Sequence, residues 1–365
     1  MKRSCWKVDP KNAETVRVLL EERGILAPGC KIESEKGFVF IPVTDPGFAI
    51  PKKYSAILAT RKFEAREEPG RGSLRERLER EGLEKTELEN IISSFDCIGD
   101  IAIIEIPESL ERHGRKIANA IMEQNHHVAV VARKDGPMMG KFRVRKITVI
   151  AGPNRTITTY RESGCSFELD AAKVYFSVRL SYERLRIASL VKPKEKILAL
   201  FAGVGPFPIV IAKKHPDAEI AAIELNPVAV KFLKRNVTLN RSKNVAAIGG
   251  DVKKIVPKKF AGWADRIIMP LPHSAGDFLD ASLKGANPRG CTVHFYGFVP
   301  TRDENTGEKI SDIYALMVRK LREKCANTGL KCKITGKRVV RPYAPYVVQV
   351  AVDFFVSRKS SKRKE

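Results

Sequence analysis

The C-terminal half of the sequence predicts an α/β fold, a doubly wound and mostly parallel sheet, on three observations. An apolar run over 196–200 breaks into a turn that contains Gly203 and Gly205. A second apolar run follows and ends about twenty residues later in a carboxylate, Glu224. Short apolar runs then alternate with helical patterns. A strand, a glycine turn, a helix and a second strand ending in an acid are typical of a nucleotide-binding half-fold.

The elements after the glycine turn continue this alternation. Helical patterns cover 228–239 and 311–327. The strands are predicted at 244–252, 265–273, 291–297, 331–340 and 346–355. The last two strands are joined by a short connection, which predicts an antiparallel pair at one edge. Ligands of such sheets bind beyond the carboxyl ends of the strands. Four candidate residues fall there: Gly203, Glu224, Asp251 and Pro270.

The glycine turn favours a cofactor without phosphates. A dinucleotide site has a third glycine and leaves the pyrophosphate on the helix N-terminus. Here Pro206 and Pro208 follow Gly205 and remove N–H groups that a pyrophosphate would use. S-adenosylmethionine fits better, with Glu224 on the ribose hydroxyls and Asp251 suited to the adenine amino group. From the loop alone, a glycine turn in some other α/β protein stays an alternative.

The charge of the chain indicates a polyanionic partner. Lys and Arg number 66 against 42 Asp and Glu, which gives a formal net charge of +24. Such an excess steers nucleic acid, whereas a thermophile-like surface would need both signs in similar amounts. We expect no membrane partner, because the sequence has no apolar run of about eighteen residues and no amphipathic basic helix with an aromatic face. No apolar segment typical of a signal peptide follows the first residues.

The cysteines and histidines predict no metal site and no disulfide framework. The seven cysteines are scattered and never at C-x-x-C spacing, which is typical of a reducing cytoplasm. The six histidines have no metal-binding spacing. His294 alternates within an apolar strand, which predicts a buried histidine with hydrogen-bonding partners. We therefore expect a cytoplasmic protein without a bound metal ion.

The N-terminal half predicts two smaller domains and a linker. The predicted divisions are a small α+β domain over 1–55, a charged linker over 56–93, a middle α+β domain over 94–168, the large α/β domain over 169–357 and a basic tail over 358–365. Both signs of charge alternate in the linker, which is typical of a solvated segment. The tail is of low complexity and is expected to be disordered.

The segment 174–186, just before the glycine-turn strand, supplies candidate catalytic residues. Arg179, Glu183 and Arg186 have i, i+4 and i+3 spacing, so a helix would bring them onto neighbouring faces. A carboxylate between guanidinium groups is often only an ion pair. The functional alternative is a general base near the cofactor, with arginines that hold an RNA base or phosphate. The spacing alone leaves both interpretations open.

Five motifs in order resemble the archaeal/eukaryotic tRNA guanine-N1 methyltransferases, which modify guanosine 37 (G37) next to the anticodon. The motifs are 94–102, 174–177 with Glu183-Arg184, 201–207, 223–227 and 343–345. The resemblance covers nearly the whole chain. It implies a class I (Rossmann-like) methyltransferase domain that binds S-adenosyl-L-methionine, a middle RNA-binding domain and a small N-terminal domain. The implied partner is tRNA, gripped at its anticodon arm and outer corner; we expect no DNA partner and a monomer.

The resemblance also implies roles for single residues. Glu183 matches the general base that takes the proton of N1. Arg143 best matches the arginine that contacts the target guanine, with Arg145 as the alternative, and Arg179 matches a further residue around the base. The implied cofactor-binding residues are Tyr175, Arg184, Phe201, Gly203, Gly205, Glu224, Leu225, Asp251, Val252 and Pro270.

Two departures from the family pattern leave alternatives open. Most relatives have an aspartate where this chain has Ala199, and its loss would weaken the hold on the methionine ammonium group. Relatives have an asparagine where this chain has Pro270, and its loss removes a donor and an acceptor near the target base. The alternatives are a tRNA-binding relative with lost or altered chemistry, and a transferase that moves the aminocarboxypropyl group to a G37-derived base.

Overall fold

The protein is described from a computed structural model. The structure describes residues 2–358 apart from 28–29, 49, 52–53, 64–73, 81, 90–94, 137–139, 271–274 and 304–305. All but the first residue of the predicted tail lies outside the described residues, as does the loop after Pro270. The chain forms two compact units, residues 1–72 and 73–365. Among the described helices, none is both long and apolar enough to cross a membrane.

The first unit is an antiparallel sheet with a helix packed on it. Its elements are β1 (Lys2–Val8), α1 (Pro10–Glu22), β2 (Glu33–Glu35), β3 (Phe38–Pro42) and β4 (Ile57–Lys62). The strand order is β2-β3-β1-β4. Asp9 caps α1 by accepting a hydrogen bond from the amide of Lys11, and Val16 and Leu20 bury one face of the helix. These residues form a core separate from that of the second unit.

Strand β4 extends the first unit beyond residue 55, where the sequence predicts a linker. It pairs with β1 along its whole length. Arg61 on β4 forms ion pairs with Glu33 at 3.0 Å and with Glu35 at 2.6 Å. Arg61, at the start of the predicted linker, therefore pairs with acidic residues of β2 in the same sheet.

The second unit begins with a smaller α+β region. Its elements are α2 (Leu74–Arg80), α3 (Lys85–Glu89), β5 (Asp96–Ile98), β6 (Ile101–Ile104), α4 (Gly114–Gln124), β7 (Val130–Lys134) and β8 (Ile147–Ala151). The strand order is β5-β6-β7-β8; β6 and β7 run parallel, and the other neighbours are antiparallel.

Helices α2 and α3 belong to this region, although the sequence predicts a linker there. Leu74 and Leu78 on α2 and Leu88 on α3 are buried together with Ile104 and Ile117. The two leucines of α2 are four residues apart and form an apolar face in a segment whose other positions are mostly charged. The alternation of charges hides this face, which is why the sequence predicts a solvated segment.

A hairpin connects the middle region with the C-terminal one. It consists of β9 (Ile157–Glu162) and β10 (Cys165–Asp170). A Cβ atom at Gly99, in the β5–β6 turn, would lie 2.2 Å from Oγ1 of Thr158, so only glycine allows this approach. Asp100 accepts hydrogen bonds from Thr158 at 2.8 Å and from Arg155 at 3.1 Å. Because β10 extends to Asp170, the predicted division at residue 168 falls inside this hairpin.

The C-terminal region is a seven-stranded sheet with helices on both faces. Its first elements are α5 (Ser181–Leu190), β11 (Lys196–Leu200), α6 (Pro206–Lys214), β12 (Glu219–Glu224), α7 (Pro227–Leu239), β13 (Val245–Gly249) and α8 (Val252–Lys259). The rest are β14 (Arg266–Met269), α9 (Leu279–Leu283), β15 (Cys291–Pro300), α10 (Ala315–Asn327), β16 (Leu330–Ala344) and β17 (Val347–Arg358).

The strand order β13-β12-β11-β14-β15-β17-β16 confirms the predicted doubly wound sheet. The first five strands are parallel, and β17 is antiparallel to both of its neighbours, as predicted for the edge pair. Strand β11 is central and buried on both faces: Ile197 and Ala199 pack in one core cluster, and Leu198 and Leu200 in the other. Burial on both faces explains why its apolar run is continuous rather than alternating.

Side-chain capping accounts for two of the element boundaries that differ from the predicted ones. Strand β13 ends at Gly249, and Asp251 is the N-cap of α8, accepting a hydrogen bond from the amide of Lys253 at 2.8 Å. Helix α10 begins at Ala315 rather than at residue 311, because Asp312 accepts a hydrogen bond from the amide of Tyr314 in a turn before the helix. Both differences follow from side-chain capping, which apolar periodicity does not reveal.

Candidate functional site

The turn between β11 and α6 lies at the carboxyl end of the central strand. Phe201, Gly203 and Gly205 have positive φ angles of 54°, 55° and 99°. The φ angle of Gly205 favours glycine, and a Cβ atom there would also lie 2.7 Å from Cδ1 of Leu233 on α7. The ring of Phe201 makes an edge contact with Phe278, with 5.0 Å between centroids. The turn therefore has a fixed backbone with an aromatic side chain at its start.

Glu224, at the end of β12, is held by this turn. Its Oε2 accepts a hydrogen bond from the amide of Gly203 at 2.7 Å, and its Oε1 accepts one from the amide of Asn226 at 2.7 Å. Burial raises the pKa of Glu224, while the backbone amides around it act in the opposite direction. Each carboxylate oxygen has a further lone pair, so Glu224 can also accept hydrogen bonds from a ligand's hydroxyl groups.

The neighbouring strand ends supply the other candidate contacts. Leu225 follows Glu224 and is 40% exposed, which leaves an apolar surface beside the carboxylate. After the next strand, β13, Asp251 caps α8 with one oxygen, and Val252 is the buried first residue of that helix. Pro270 directly follows β14 and is half-buried. The sheet order thus places all four residues at the carboxyl edge of the parallel strands: Leu225, Asp251, Val252 and Pro270. For Asp251 and Pro270 this is the position that the sequence predicts.

The segment of Tyr175 lies next to the glycine turn and is held by Arg184. A Cβ atom at Gly203 would lie 3.7 Å from the carbonyl oxygen of Tyr175. The buried guanidinium of Arg184 donates to the carbonyl of Ser177 at 3.0 Å and to Glu162 on β9 at 2.6 Å. With both partners supplied by the protein, Arg184 positions this segment; its direct contact with a cofactor stays a prediction.

Glu183 is a buried carboxylate between α5 and the antiparallel edge of the sheet. It is 2% exposed. Its Oε2 accepts hydrogen bonds from the hydroxyl of Tyr296 at 2.8 Å and from Nε of Arg186 at 3.0 Å. Its Oε1 lies 3.1 Å from Nε of Arg338, but the two atoms are not aligned for a hydrogen bond, and Oε1 makes none in the described part of the chain. Oε2 is therefore fixed by two hydrogen bonds, whereas Oε1 is held only by its ion pair with Arg338.

A chain of buried polar groups continues from Glu183 across the sheet. Arg186 donates to Asp353 on β17 at 2.7 Å, and Nδ1 of His294 donates to the same carboxylate at 2.7 Å. Nε2 of His294 accepts from Arg266 at 2.6 Å, and Arg266 in turn pairs with Glu195. These contacts assign neutral His294 with its proton on Nδ1, and they confirm the prediction of a buried histidine with partners.

The pKa values of these buried polar groups follow from burial and pairing. Burial lowers the pKa of His294 below its usual value, and the nearby arginines act in the same direction. Burial alone would raise the pKa of Asp353, but hydrogen bonds from His294 and Arg186 bring it to about 2. Burial, together with the charge of Glu183, raises the pKa of Tyr296 well above its usual value. Tyr296 therefore stays a hydrogen-bond donor at neutral pH.

Arg179 does not lie on the helix that its spacing from Glu183 predicts, and Arg143 lies in a loop of the middle region. The α-helix begins at Ser181, so Arg179 lies before it and forms an ion pair with Asp96 on β5 at 2.7 Å. It links the C-terminal region to the middle one instead of facing Glu183. Arg143 lies between β7 and β8, half-buried and with a φ angle of +54°. Its contact with a target base stays a prediction.

Sequence reasoning missed Tyr296, Arg338 and Asp353. They lie 113 or more residues from Glu183 along the chain and reach it only through the pairing of β15, β17 and β16. A period-two alternation marks Tyr296 and His294 as sharing a face, but the register of the three strands is needed to align them. Among the described residues, no group of three or more His, Cys, Asp or Glu could hold a metal ion.

Comparison with protein-family models gives three consecutive matches. Residues 5–48 match the tRNA methyltransferase 5 N-terminal domain, and residues 74–156 match the TYW2 N-terminal domain. Residues 158–332 match the TRM5/TYW2 methyltransferase domain. The tRNA (guanine(37)-N(1))-methyltransferase Trm5b of Pyrococcus abyssi is 40% identical over 355 residues, which cover 96% of this chain and 98% of the relative. This chain belongs to the TRM5/TYW2 methyltransferase family.

Solved structures agree with this assignment. The crystal structure of wild-type Trm5b from Pyrococcus abyssi has a TM-score of 0.69 at 37% identity and covers 97% of this chain and 99% of its own. A complex of aTrm5 with tRNALeu has a TM-score of 0.66 at 29% identity, covering 96% and 99%. Methanocaldococcus jannaschii Trm5 in complex with adenosine has a TM-score of 0.64 at 29% identity, covering 98% and 100%.

The buried state of His294 predicts a pH dependence of stability. Its folded pKa is lowered, so in the window below about pH 6.5 the unfolded chain binds a proton that the folded chain does not. Stability from this group is complete above that window and is lost as the pH falls, by up to about 1.4 kcal/mol per pH unit. His294→Gln keeps a donor for Asp353 and an acceptor for Arg266 without titrating. We expect its melting temperature to fall less than that of the wild type between pH 7.5 and 5.5.

The control for this measurement is His126→Gln, since His126 is exposed on a turn. It should melt with the wild-type pH dependence. Equal slopes for His294→Gln and the wild type would contradict a neutral, proton-excluding His294.

Proposed function

We propose that this protein transfers the methyl group of S-adenosyl-L-methionine to N1 of guanosine 37 in tRNA. The observation that carries this function is Glu183, a buried carboxylate with one fixed oxygen and one oxygen free of hydrogen bonds, in a chain of this family. Guanine N1 holds a proton at neutral pH, so its methylation needs a base. Oε1 of Glu183 is suited to take that proton.

The residues around the glycine turn fit the cofactor. Pro206 and Pro208 leave few amides for a phosphate, and Glu224 has acceptor capacity for ribose hydroxyls. Leu225 offers an apolar surface for a base. Asp251 and Val252 lie beyond the end of the next strand, at the start of α8. When bound, S-adenosylmethionine supplies a methyl group that is activated by the sulfonium charge. Ala199 is buried within β11, so no carboxylate there helps to hold the methionine ammonium group.

The side chains around Glu183 support its role as the base. Tyr296 and Arg186 hold Oε2 from two sides, which orients the carboxylate without occupying Oε1. The guanidinium of Arg338 lies 3.1 Å from Oε1 and places a positive charge beside the carboxylate. We assign Arg143 to the charge that grows on guanine O6, as the family resemblance implies. Arg179 holds Asp96 and acts by keeping the middle region in place.

We also propose which parts of tRNA the protein contacts and where in the cell it acts. The N-terminal unit contacts the outer corner of tRNA, and the middle region with the C-terminal one grips the anticodon arm. A net charge of +24 supports contact with a long polyanion. We infer a monomer in the cytoplasm, where free thiols are stable. The alternatives, a relative with lost or altered chemistry and an aminocarboxypropyl transferase, have less support, because Trm5b, which matches nearly the whole chain, is a guanine37-N1 methyltransferase.

Glu183→Gln tests the base. The amide oxygen can still accept from Tyr296 and Arg186, but the side chain cannot take the N1 proton. We expect single-turnover methylation of a G37 transcript to fall by roughly 10²–10⁴-fold. Affinity for tRNA and for the cofactor should stay within about threefold, and an unchanged rate would remove Glu183 from the mechanism.

Glu224→Gln tests the cofactor site. An amide has only one acceptor oxygen, so contacts with Gly203, Asn226 and the ribose can no longer all be made. We expect the dissociation constant for S-adenosylmethionine to rise about tenfold, the usual cost of a lost charged hydrogen bond. The matched control is Glu219→Gln at the exposed start of the same strand, which should bind normally. Equal affinities for both variants would show that the cofactor lies elsewhere.

A further inference from the structure

An exposed surface of tyrosines and arginines surrounds the tip of the β16–β17 hairpin. We call it the hairpin platform. It consists of Tyr182, Arg302, Arg338, Arg341, Tyr343 and Tyr346. The three tyrosines are 62%, 39% and 63% exposed in chain order. The platform includes the Tyr343–Pro345 motif, to which neither the catalytic base nor the cofactor site gives a role.

Each exposed tyrosine of the platform has an arginine over its ring. The guanidinium carbon of Arg302 lies 4.8 Å from the ring centroid of Tyr346, and that of Arg338 lies 5.3 Å from that of Tyr182. Arg341 lies 6.0 Å from the ring centroid of Tyr343. Alternating aromatic rings and guanidinium groups form the surface that single-stranded nucleic acid prefers, because bases stack on the rings and phosphates bind the cations.

The platform is rigid as well as exposed. The backbone of Tyr346 has a φ angle of +58°, which is unusual for a residue other than glycine or asparagine. Its carbonyl oxygen accepts hydrogen bonds from the amide and hydroxyl of Thr301 at 2.7 and 3.1 Å. The ring of Tyr343 packs against that of Phe298 at a tilt of 35°, with centroids 4.0 Å apart. A turn of this shape would accept a small residue more easily, so its local geometry does not explain an exposed tyrosine.

The register of the sheet places the platform beside the catalytic base. Tyr296 and Arg338, which both contact Glu183, pair with the same residue of β17, Ala351. The next residues on that face are Phe298 and Arg341, which both pair with Gln349. This second row is two residues further along β15, about 7 Å closer to the carboxyl edge. Tyr343 and Tyr346 continue in the same direction.

We propose that the hairpin platform binds the unpaired nucleotides of the anticodon loop that flank the target guanosine. This inference rests on the proposed function, because it supplies the surface onto which the loop opens when its guanosine enters the site. Sequence-tolerant stacking on Tyr343 and Tyr346 holds the neighbouring bases, and Arg302 and Arg341 hold their phosphates. The platform therefore positions the RNA strand and takes no part in the proton transfer itself.

Tyr346→Ala is the main test, because a side chain with this exposure can be removed without loss of folding. Its partner is Tyr346→Phe, which keeps the ring. The probe is a tRNA transcript with G37, and the readout is its dissociation constant with each full-length variant. We expect Ala to weaken binding about tenfold, the usual effect of removing one stacked base contact, and Phe to bind within twofold of the wild type. An Ala variant that binds within twofold of the wild type would overturn the proposal.

A charge-matched pair separates the platform from the general positive field of the protein. The double variant Arg302→Ala with Arg341→Ala removes two charges at the tip. The double variant Lys331→Ala with Lys333→Ala removes two exposed charges at the opposite end of the same hairpin. We expect the first pair to weaken transcript binding at least fivefold more than the second. Equal losses would assign the binding to long-range charge and overturn the platform.

The wild-type methylation assay distinguishes failure of this inference from failure of the proposed function. If the wild type methylates G37 while Tyr346→Ala binds and reacts normally, the platform is wrong and the function stands. If the wild type does not methylate G37 but Tyr346→Ala still loses tRNA affinity, the platform stands and the function is wrong. A Tyr346→Ala variant that changes only the sedimentation of the protein would show a protein interface and also overturn the proposal.

Discussion

The Glu183 carboxylate is buried between a helix and the edge of the sheet, and the structure around it has to offset the cost of removing that charge from water. An isolated buried carboxylate costs several kcal/mol, and hydrogen bonds and opposite charges offset that cost. Tyr296, Arg186 and Arg338 supply both. Arg186 in turn pairs with Asp353 on β17, which also accepts a hydrogen bond from His294 on β15. The need for polar partners thus extends across β17 and β15. A single buried carboxylate thus explains why strands otherwise rich in apolar residues contain a row of polar ones.

The two functional carboxylates are held in different ways. Glu224 is fixed by the backbone amides of Gly203 in the glycine turn and of Asn226, the N-cap of α7. Its position therefore depends on the parallel part of the sheet. Glu183 is fixed by side chains from the antiparallel edge. In the proposed function, the parallel part of the sheet therefore places the cofactor, and the antiparallel edge places the base. If the hairpin platform binds RNA as we propose, recognition and base positioning share this antiparallel edge.

Much of the fold followed from the sequence, because its strongest signals are local. The glycine turn, the acid at the end of β12 and the alternation of strands and helices identify the C-terminal fold. The leucines of α2 were hidden among charges, and β4 was hidden in a stretch of mixed sign, since a charge pattern reports solvent contact and not pairing. Asp251 was predicted at the end of a strand, but its capping hydrogen bond places it at the start of α8.

The site was only partly predictable, for a physical reason. Glu183 and Arg186 are three residues apart on one helix, and that contact is local. Tyr296, Arg338 and Asp353 reach the site through the register of three strands, which no short sequence pattern specifies. Arg179 was expected beside Glu183, but the helix starts two residues later and frees it to pair with Asp96.

The most direct measurement is transfer of labelled methyl from S-adenosylmethionine to an unmodified tRNA transcript with G37, beside the same transcript with adenosine at that position. Incorporation into the guanosine transcript alone, recovered as 1-methylguanosine after digestion, is the predicted result. It would show that Ala199 and Pro270 are compatible with activity. Tight binding of the G37 transcript without incorporation, or a labelled product other than 1-methylguanosine, would contradict the proposed chemistry.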